Sequence, residues 1–517
     1  MKYPLGIQNF EGLRTDGYLY LDKTALLFQI VKNGKYYFLS RPRRFGKSLL
    51  VSTLEAYFKG KRELFKGLAI ERLEQEWKEH PVLHLDLNPE KYTTVEALDS
   101  ILNSQLKLWE ELYGTREGEA TLSDRFKGII RRAYEKTGQK VVILIDEYDK
   151  PLLQTFGNRI LQDDYRDTLK AFYGVGKSMD GYIQFAFFTG VTKFSKVSVF
   201  SDLNNLTDIT MDRRYAEICG ITEDEIHQNL DAEVELLAEA NGMGKNACYE
   251  KLRQNYDGYH FEANSTGIYN PYSLFRVLDT KSFKDYWFET GTPTILVKAL
   301  QQSNYRLEEL TQEEVTADLL GSIDGAANPL ALIYQSGYLT IKDYDERFST
   351  YRLGFPNQEV ERGFTRFLLP YYTPVQEEKS ATFINNFVRD IETGHAHRFM
   401  QRLETLFAGG DYQVMGDAEL YFQNAVWVIF KMMGFYTEVE RHTTDGRIDM
   451  IVKTQNYIYI IEFKLDKSAD EAIQQIEDKQ YARPFEHDGR HIYKIGVNFS
   501  SHTRRIDEWK IANQATN

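Results

Sequence analysis

The first 215 residues alternate short apolar runs with amphipathic stretches, which is the pattern of strands and helices in a parallel α/β sheet. The apolar runs predict strands at Tyr36–Ser40, Val82–Leu87, Val141–Asp146 and Phe185–Thr189. Their nearly continuous apolar character indicates strands that are buried on both faces, as in sheets covered by helices on each side. We therefore predict an N-terminal parallel-sheet domain over residues 1–220.

After residue 220 the pattern becomes helical and more polar, and it stays so to about residue 405. Thr222 followed by Glu225 predicts a capping box at the start of one of these helices. Residues 330–360 predict a helix followed by a two-stranded ribbon, with a turn near Asp345–Arg347. We therefore predict a helical middle region over 221–405, with a winged-helix-like element near 325–360.

A compact α/β pattern follows Gly409-Gly410 and continues to about residue 510. It predicts a third domain over 406–517, in which strands Ile448–Lys453 and Tyr457–Leu465 are joined by a short turn between two helical stretches. The predicted fold class is therefore α/β throughout, with a helical region between two sheet-containing domains.

Composition narrows the class of protein. With 42% hydrophobic and 14% aromatic residues among 517, the chain can build packed cores, and wholesale disorder is excluded. Two cysteines cannot form a disulfide framework or a four-thiolate zinc site. No stretch of 18 apolar residues occurs, and the first residues lack the apolar segment of a signal peptide. We therefore expect a cytoplasmic protein without a membrane partner.

The net charge of −13 argues against a protein that coats nucleic acid without specificity, because phosphate binding requires positive charge. Residues 32–66, however, hold ten Lys and Arg against two acids. A local basic site is therefore compatible with the acidic whole.

The basic segment contains a candidate phosphate loop. Strand Tyr36–Ser40 runs into Arg-Pro-Arg-Arg-Phe-Gly-Lys-Ser and then into a helical stretch, as in the G-x-x-x-x-G-K-[ST] pattern. The first glycine position holds Arg41, whose side chain must point out of such a loop. Lys47 is expected to reach the β/γ-phosphates of ATP and Ser48 to bind Mg²⁺. The candidate nucleotide-binding residues are Arg43, Arg44, Phe45, Gly46, Lys47, Ser48 and Leu49. A basic strand–helix turn with a solvated face is the alternative.

The strand Val141–Asp146 ends abruptly in two carboxylates. Asp146 is expected to hold the Mg²⁺ shell and Glu147 to act catalytically by polarising the attacking water. An exposed acidic turn is the alternative. Thr189, or Thr192, at the next strand end is a candidate γ-phosphate sensor. Arg213, with its neighbour Arg214, is a candidate arginine finger or sensor.

The predicted C-terminal hairpin holds a second group of chemically suited residues. Because side chains alternate along a strand, Glu462 and Lys464 share one face, and Asp449 on the partner strand can lie beside Glu462. Two carboxylates and a lysine can form a hydrolytic centre that binds Mg²⁺, or Mn²⁺, with Asp449 and Glu462 as ligands. Glu419 and Gln475, in the flanking helices, are candidate supporting residues. An exposed acid–base pair that closes an edge strand is the alternative.

The aromatic, turn-rich segment 255–275 could contact a ligand, but its pattern favours the packing of a helix-to-helix connection.

Four segments together carry a resemblance to a known family: SRPRRFGKSLL, VVILIDEYDKP, YDGYHF with YNPYSLF, and GRIDMIVKT with YIIEFKLDK. The chain resembles bacterial AAA-ATPase-like proteins with a C-terminal PD-(D/E)XK nuclease superfamily domain. The resemblance implies a P-loop NTPase domain and a restriction-endonuclease-like C-terminal domain. It also implies the roles given above to Lys47, Ser48, Asp146, Glu147, Asp449, Glu462 and Lys464, with Glu419 and Gln475 in support. The proline of the nuclease motif is replaced here by Ile448.

These observations favour an ATP-dependent enzyme that processes nucleic acid, DNA in preference to RNA. A different class stays open, namely a nucleotide-dependent switch whose C-terminal domain only binds nucleic acid or a protein. A third reading is an interaction protein with a vestigial phosphate loop. Sites of this type are often completed by an arginine of a neighbouring subunit, so a homo-oligomer is compatible with the sequence.

Overall fold

The computed structural model describes residues 1–194, 205–290, 294–321, 323, 329–408, 418–434, 436–444 and 447–513. The chain divides into two compact units, Met1–Gly291 with Thr311–Val360, and Thr292–Leu310 with Glu361–Asn517. The sequence-based boundary between the second and third domains, near Gly409-Gly410, falls outside the described residues. The three-domain division therefore stays a prediction.

The N-terminal unit is built on a five-stranded parallel sheet. Its strands are β1 (Tyr36–Ser40), β2 (Val82–Asp86), β3 (Val141–Asp146), β4 (Ile183–Gly190) and β5 (Thr207–Asp208). Their order is β2-β3-β4-β1-β5, and every neighbouring pair is parallel. The predicted parallel α/β fold is confirmed. All carboxyl ends lie at one edge of the sheet, which is where such sheets bind ligands.

The helices of this sheet region are α1 (Phe10–Thr15), α2 (Thr24–Asn33), α3 (Lys47–Phe58), α4 (Ile70–Leu73), α5 (Val95–Tyr113), α6 (Leu122–Thr137), α7 (Lys150–Gln154) and α8 (Arg159–Ser178). Helix α5 buries Leu98, Leu102, Leu106 and Trp109, which recur at helical spacing. They join the apolar residues of β3 in one core, so the amphipathic pattern determines which face of the helix meets the sheet.

The region after the sheet begins with a short ribbon and four helices: β6 (Ile221–Thr222), α9 (Glu223–Asn229), α10 (Asp231–Ala240), α11 (Lys245–Tyr256), β7 (Ile268–Tyr269) and α12 (Pro271–Thr280). The predicted capping box is confirmed, because Thr222 and Glu225 each bond the backbone N–H of the other. Helix α12 is capped by Asn270, whose side chain accepts from the N–H groups of Tyr272 and Ser273.

The following elements are α13 (Thr294–Gln302), β8 (Glu314–Thr316), α14 (Ala317–Leu320), α15 (Leu330–Gln335), β9 (Thr340–Asp345) and β10 (Thr350–Gly354). The predicted helix and ribbon are present as α15, β9 and β10. Asp345 closes the turn by accepting hydrogen bonds from the N–H groups of Arg347 and Phe348. Strand β8 adds to the ribbon and makes a three-stranded antiparallel sheet.

The remaining elements are helices α16 (Gln358–Tyr372), α17 (Ser380–Glu392), α18 (Ala396–Ala408), α19 (Ala418–Met433) and α20 (Ala469–Asp478), and strands β11 (Glu438–Thr444), β12 (Arg447–Lys453), β13 (Tyr457–Leu465), β14 (His491–Ser500) and β15 (Arg505–Asn513). The strands form one sheet in the order β11-β12-β13-β14-β15. Strands β13 and β14 are parallel, and α20 lies between them in sequence, as parallel neighbours require a crossover.

Within the described ranges, no helix is long and apolar enough to cross a membrane.

Candidate functional site

The loop between β1 and α3 curves tightly at the carboxyl edge of the N-terminal sheet. Gly46, with φ of 93°, immediately precedes α3 and lies in the left-handed region that glycine adopts without strain. The Lys47 side chain is buried, and its Nζ donates to the carbonyl oxygens of Arg41 (3.1 Å) and Pro42 (3.2 Å). The amine is therefore held inside the curve of the loop, next to the N-terminal N–H groups of α3, which attract anions.

The other residues of the loop differ in exposure. Arg43, Arg44 and Gly46 are exposed, Ser48 and Leu49 are half-buried, and Phe45 is buried. The side chain of Arg41 leaves the loop, as predicted, and donates to the carbonyl oxygens of Thr210 and Tyr215.

Both carboxylates at the end of β3 lie beside this loop. The Ser48 side chain lies close enough to Asp146 to lower the pKa of its carboxyl, and the Oε1 of Glu147 lies 3.6 Å from the Nζ of Lys47. Burial raises the pKa of Asp146 to about 6, and the charge of Glu147 adds to this effect, whereas Ser48 and Lys47 oppose it. A carboxylate in this environment is stabilised by a cation, so the residues present fit Mg²⁺ between Ser48 and Asp146.

Glu147 has a φ of 52°, which is uncommon for a residue with a side chain. Its N–H donates to the Oδ1 of Asp146 at 3.0 Å. Such conformations cluster at functional sites, because the surrounding structure must hold them. Here Asp149, fully buried, accepts hydrogen bonds from the N–H groups of Val191 and Thr192 and so ties the segment after β3 to the end of β4. Asp149 was not predicted as a site residue, although it is the third acid of the segment DEYD.

The candidate sensor residues have other partners in this structure. The Thr189 hydroxyl donates to the carbonyl oxygen of Leu39 at 2.8 Å, and the Thr192 hydroxyl donates to Asp149 at 2.5 Å. Arg213 is exposed, and Arg214 pairs with Asp212. Their sensor or finger roles stay predictions.

A group of aromatic and amide side chains from later in the chain surrounds the phosphate loop, and we call it the aromatic collar. Its members are Tyr259, Phe261, Asn270, Tyr272 and Trp287. Phe45 of the loop packs against the rings of Tyr259 and Phe261, at 4.8 and 5.4 Å between centroids. The guanidinium of Arg44 lies 4.9 Å from the centre of the Tyr272 ring.

Two members of the collar also hold the backbone of the loop. The carbonyl oxygen of Arg43 accepts from the Nε1 of Trp287 at 3.4 Å and from the Nδ2 of Asn270 at 3.5 Å. The segment 255–275, predicted to pack a helix connection, thus contacts the candidate nucleotide site. The density of aromatic and turn-forming residues in this segment was the feature of the sequence that could have indicated the contact.

The collar provides a test of loop positioning. We expect Trp287→Phe to raise the KM for ATP about fivefold with little change in kcat, because one hydrogen bond to the loop is worth about 1 kcal/mol. Trp77→Phe is the matched control, since the Nε1 of Trp77 also donates to a carbonyl oxygen, that of Glu74 at 3.1 Å. Steady-state ATPase kinetics measure the effect, and equal KM values in the two variants would contradict it.

Trp287 is itself fixed by a buried carboxylate. Glu359, 1% exposed, accepts from the N–H groups of Tyr286 (2.5 Å) and Trp287 (2.9 Å) through Oε1. Burial raises the pKa of Glu359 to about 7, from an ordinary value near 4.5.

This shift predicts a pH-dependent stability. Because the folded chain binds the Glu359 proton more tightly than the unfolded chain, stability is lost as the pH rises from about 4.5 to 7. Glu359→Gln keeps a hydrogen-bond acceptor at this position but carries no charge. The unfolding free energy of this variant minus that of the wild type should therefore be about 3 kcal/mol larger at pH 8 than at pH 4.5. Urea unfolding followed by tryptophan fluorescence measures the difference. A difference independent of pH would disprove the assignment.

The second site lies on the C-terminal sheet. The register pairs Asp449 directly with Glu462, as predicted, although the Asp449 side chain lies outside the described residues. Glu462 is fully buried, and its Oε1 accepts from the Nζ of Lys464 at 2.6 Å. Lys464 also donates to the Oε1 of Gln475 on α20. The structure thus joins Glu462, Lys464 and Gln475 in one cluster.

The two faces of β13 have different neighbours. Phe463, between Glu462 and Lys464, packs against Phe422 and Phe430 of α19 on the other face. Glu419, exposed at the start of α19, accepts a hydrogen bond from Gln423, and its supporting role stays a prediction.

A glycine that the sequence analysis missed allows α20 to approach the sheet. Gly496 pairs with Glu462 in the register of β13 and β14. A Cβ at Gly496 would lie 2.3 Å from the carbonyl oxygen of Ala469, at the start of α20. A larger residue would therefore push away the helix that carries Gln475.

The donor set of this site fits a divalent cation. The Oε2 of Glu462 is buried and has no hydrogen-bond partner among the described residues. An unpartnered buried carboxylate oxygen is costly, and a metal ion would satisfy it. The described side chains, which do not include that of Asp449, contain no group of three or more His, Cys, Asp or Glu that could hold a metal.

Comparison with known proteins assigns a family to each of the two regions that contain these sites. Residues 4–200 match the family model described as predicted AAA-ATPase, and residues 417–509 match the PD-(D/E)XK nuclease superfamily. The chain therefore belongs to the AAA-ATPase-like proteins with a C-terminal PD-(D/E)XK nuclease superfamily domain, and the resemblance inferred from the motifs is confirmed. It is 35% identical over 517 residues, covering 98% of each chain, to the uncharacterized protein in the vnfD 5′ region of Azotobacter chroococcum mcd 1.

Proposed function

We propose that the chain binds and hydrolyses ATP at the N-terminal site, and that this reaction gates or drives the cleavage of phosphodiester bonds in nucleic acid at the C-terminal site. The observation that carries the nuclease assignment is the buried Glu462, which is bonded to Lys464, paired in register with Asp449, and has one carboxylate oxygen unused by the described residues.

At the N-terminal site the loop residues bind the phosphates. The Nζ of Lys47 would exchange the carbonyl oxygens of Arg41 and Pro42 for β- and γ-phosphate oxygens. Ser48 and Asp146 would hold Mg²⁺, which neutralises phosphate charge when bound. Glu147, held 3.6 Å from Lys47, would orient the attacking water and receive its proton.

At the C-terminal site Asp449 and Glu462 would hold Mg²⁺ or Mn²⁺, which polarises the phosphodiester and acidifies a bound water. Lys464 would orient the nucleophile and stabilise the charge that develops on the phosphate. Gln475 restrains the amine of Lys464 through its Oε1.

Arg213, in the N-terminal unit, is exposed, as an arginine offered to a neighbouring subunit would be.

A panel of substrates tests this function. Single- and double-stranded DNA and RNA are incubated with Mg²⁺ or Mn²⁺, with and without ATP, using the wild type and Asp449→Ala. We expect metal-dependent cleavage of DNA by the wild type alone, changed by ATP. ATP hydrolysis without any cleavage, together with a lack of calorimetric metal binding that depends on Asp449 and Glu462, would instead establish the nucleotide-dependent switch.

A further inference from the structure

Arg41, which replaces the first glycine of the phosphate-loop pattern, is 1% exposed and lines a cavity of about 50 Å³ in the N-terminal unit. A cavity of this volume has room for roughly three water-sized groups. Its wall includes the apolar side chains of Phe261 and Leu339, the hydroxyl-bearing Tyr334, and the pair Lys193 and Asp208.

Arg41 forms no direct ion pair among the described residues, although the charge of Asp208 acts on it from a distance. Its guanidinium donates to the carbonyl oxygens of Ser40 (2.9 Å), Thr210 (2.8 Å) and Tyr215 (3.1 Å), all of which are neutral. It also lies 4.0 Å from the centre of the Phe261 ring. Burying a cation without a counter-charge is costly, even when its donors are partly satisfied.

The acid on the cavity wall is already neutralised. Asp208 forms an ion pair with Lys193, so these two residues together add no net charge. The wall therefore carries a net positive charge from Arg41. Burial lowers the pKa of Arg41 only to about 10, so the guanidinium stays charged at neutral pH.

Two residues of this wall, Arg41 and Tyr334, carry hydrogen-bond donors. The Nε of Arg41 is buried and has no partner within the described part of the chain. Tyr334 interacts electrostatically with Arg41, and burial raises the pKa of its hydroxyl, which therefore keeps its proton. One cationic donor and one neutral donor beside apolar walls are suited to a small anion, because a low dielectric strengthens the attraction.

We propose that this cavity binds a monovalent anion no larger than acetate, with Arg41 as its counter-charge and Tyr334 as a second donor. The cavity adjoins the proposed nucleotide site, since the carbonyl oxygen of Arg41 accepts from the Nζ of Lys47. An anion that restrains Arg41 would fix the carbonyl that positions Lys47. This consequence for nucleotide affinity rests on the proposed ATP binding, whereas the anion site itself does not.

Thermal unfolding of the full chain without nucleotide tests the site. The melting temperature is measured against increasing sodium chloride, bromide or acetate, with sodium gluconate, whose anion is too large for the cavity, keeping the ionic strength constant. A ligand that binds only the folded chain raises the melting temperature in a saturating manner. We expect saturation with the three small anions, and about a fivefold weaker apparent affinity in Tyr334→Phe.

Tyr173→Phe is the matched control, because Tyr173 is a buried tyrosine of the same unit that does not line the cavity, and it should respond like the wild type. Arg41→Met should lose the response entirely. If Arg41→Met does not fold, the apparent anion affinity of Tyr334→Phe relative to the wild type tests the proposal by itself. An equal, non-saturating response in the wild type and Tyr334→Phe would mean a general salt effect on a water-filled cavity and would overturn the proposal.

Discussion

Lys47→Ala should reduce ATP hydrolysis at least about 100-fold and weaken nucleotide binding. The reason is that the Lys47 amine is the positive charge that the loop holds inside its curve, where it would meet the phosphates. Glu147→Gln should bind nucleotide nearly as well as the wild type but hydrolyse it about 100-fold more slowly, because the amide cannot accept a proton from water. Phosphate release measures the rate of ATP hydrolysis, and a fluorescent ATP analogue measures nucleotide binding.

The control for both variants is Lys59→Ala. Lys59 caps the C-terminal end of α3, opposite the end that holds Lys47, and pairs with Glu55. It is therefore a lysine next to the same helix that is not part of the loop. It should hydrolyse ATP at the wild-type rate. Hydrolysis by Lys47→Ala at the wild-type rate would exclude the loop as the nucleotide site.

The second large effect is expected at the C-terminal sheet. Asp449→Ala and Lys464→Ala should each abolish metal-dependent cleavage, since one removes a proposed ligand and the other the cation that orients the nucleophile. Removing Lys464 also leaves Glu462 buried without its partner, which destabilises the fold by about 3 kcal/mol or more. The double variant Glu462→Gln/Lys464→Met, which removes both charges of this buried pair, should be more stable than Lys464→Ala and equally inactive.

Lys494→Ala is the matched control, because Lys494 is a buried lysine on the adjacent strand β14 that pairs with Glu477 of α20. It should keep cleavage activity. Cleavage is followed on the DNA that the wild type cuts, after circular dichroism has shown each variant to be folded. Intact cleavage in both Asp449→Ala and Lys464→Ala would refute the nuclease assignment.

The local features of both sites follow from the sequence for physical reasons. Strands β1 and β3 have the predicted bounds, because each continuous apolar run ends in one polar residue at the carboxyl edge of the sheet. The pairing of Asp449 with Glu462 follows from the two-residue alternation of strands and the short turn between β12 and β13, which together fix the register.

Contacts between distant segments could not be predicted in this way. Asn270 and Trp287 lie 227 and 244 residues from the Arg43 carbonyl that they bond, and no periodic pattern encodes such a distance. The excess of basic residues in 32–66 was likewise an incomplete guide to the net charge around this segment in the folded chain. Lys35 pairs with Asp180 and Lys61 with Glu11, so acids outside the segment neutralise part of its charge.

The position of β1 between β4 and β5 also affects how the chain is made. The hydroxyl of Thr189 bonds the carbonyl of Leu39 across 150 residues of sequence, and β5 follows later still. At roughly 5–20 residues per second, a ribosome would expose β1 about 8–30 s before β4, the first strand that pairs with it. During that interval ATP cannot stabilise the nascent chain, because the loop that would bind it has no sheet on which to form.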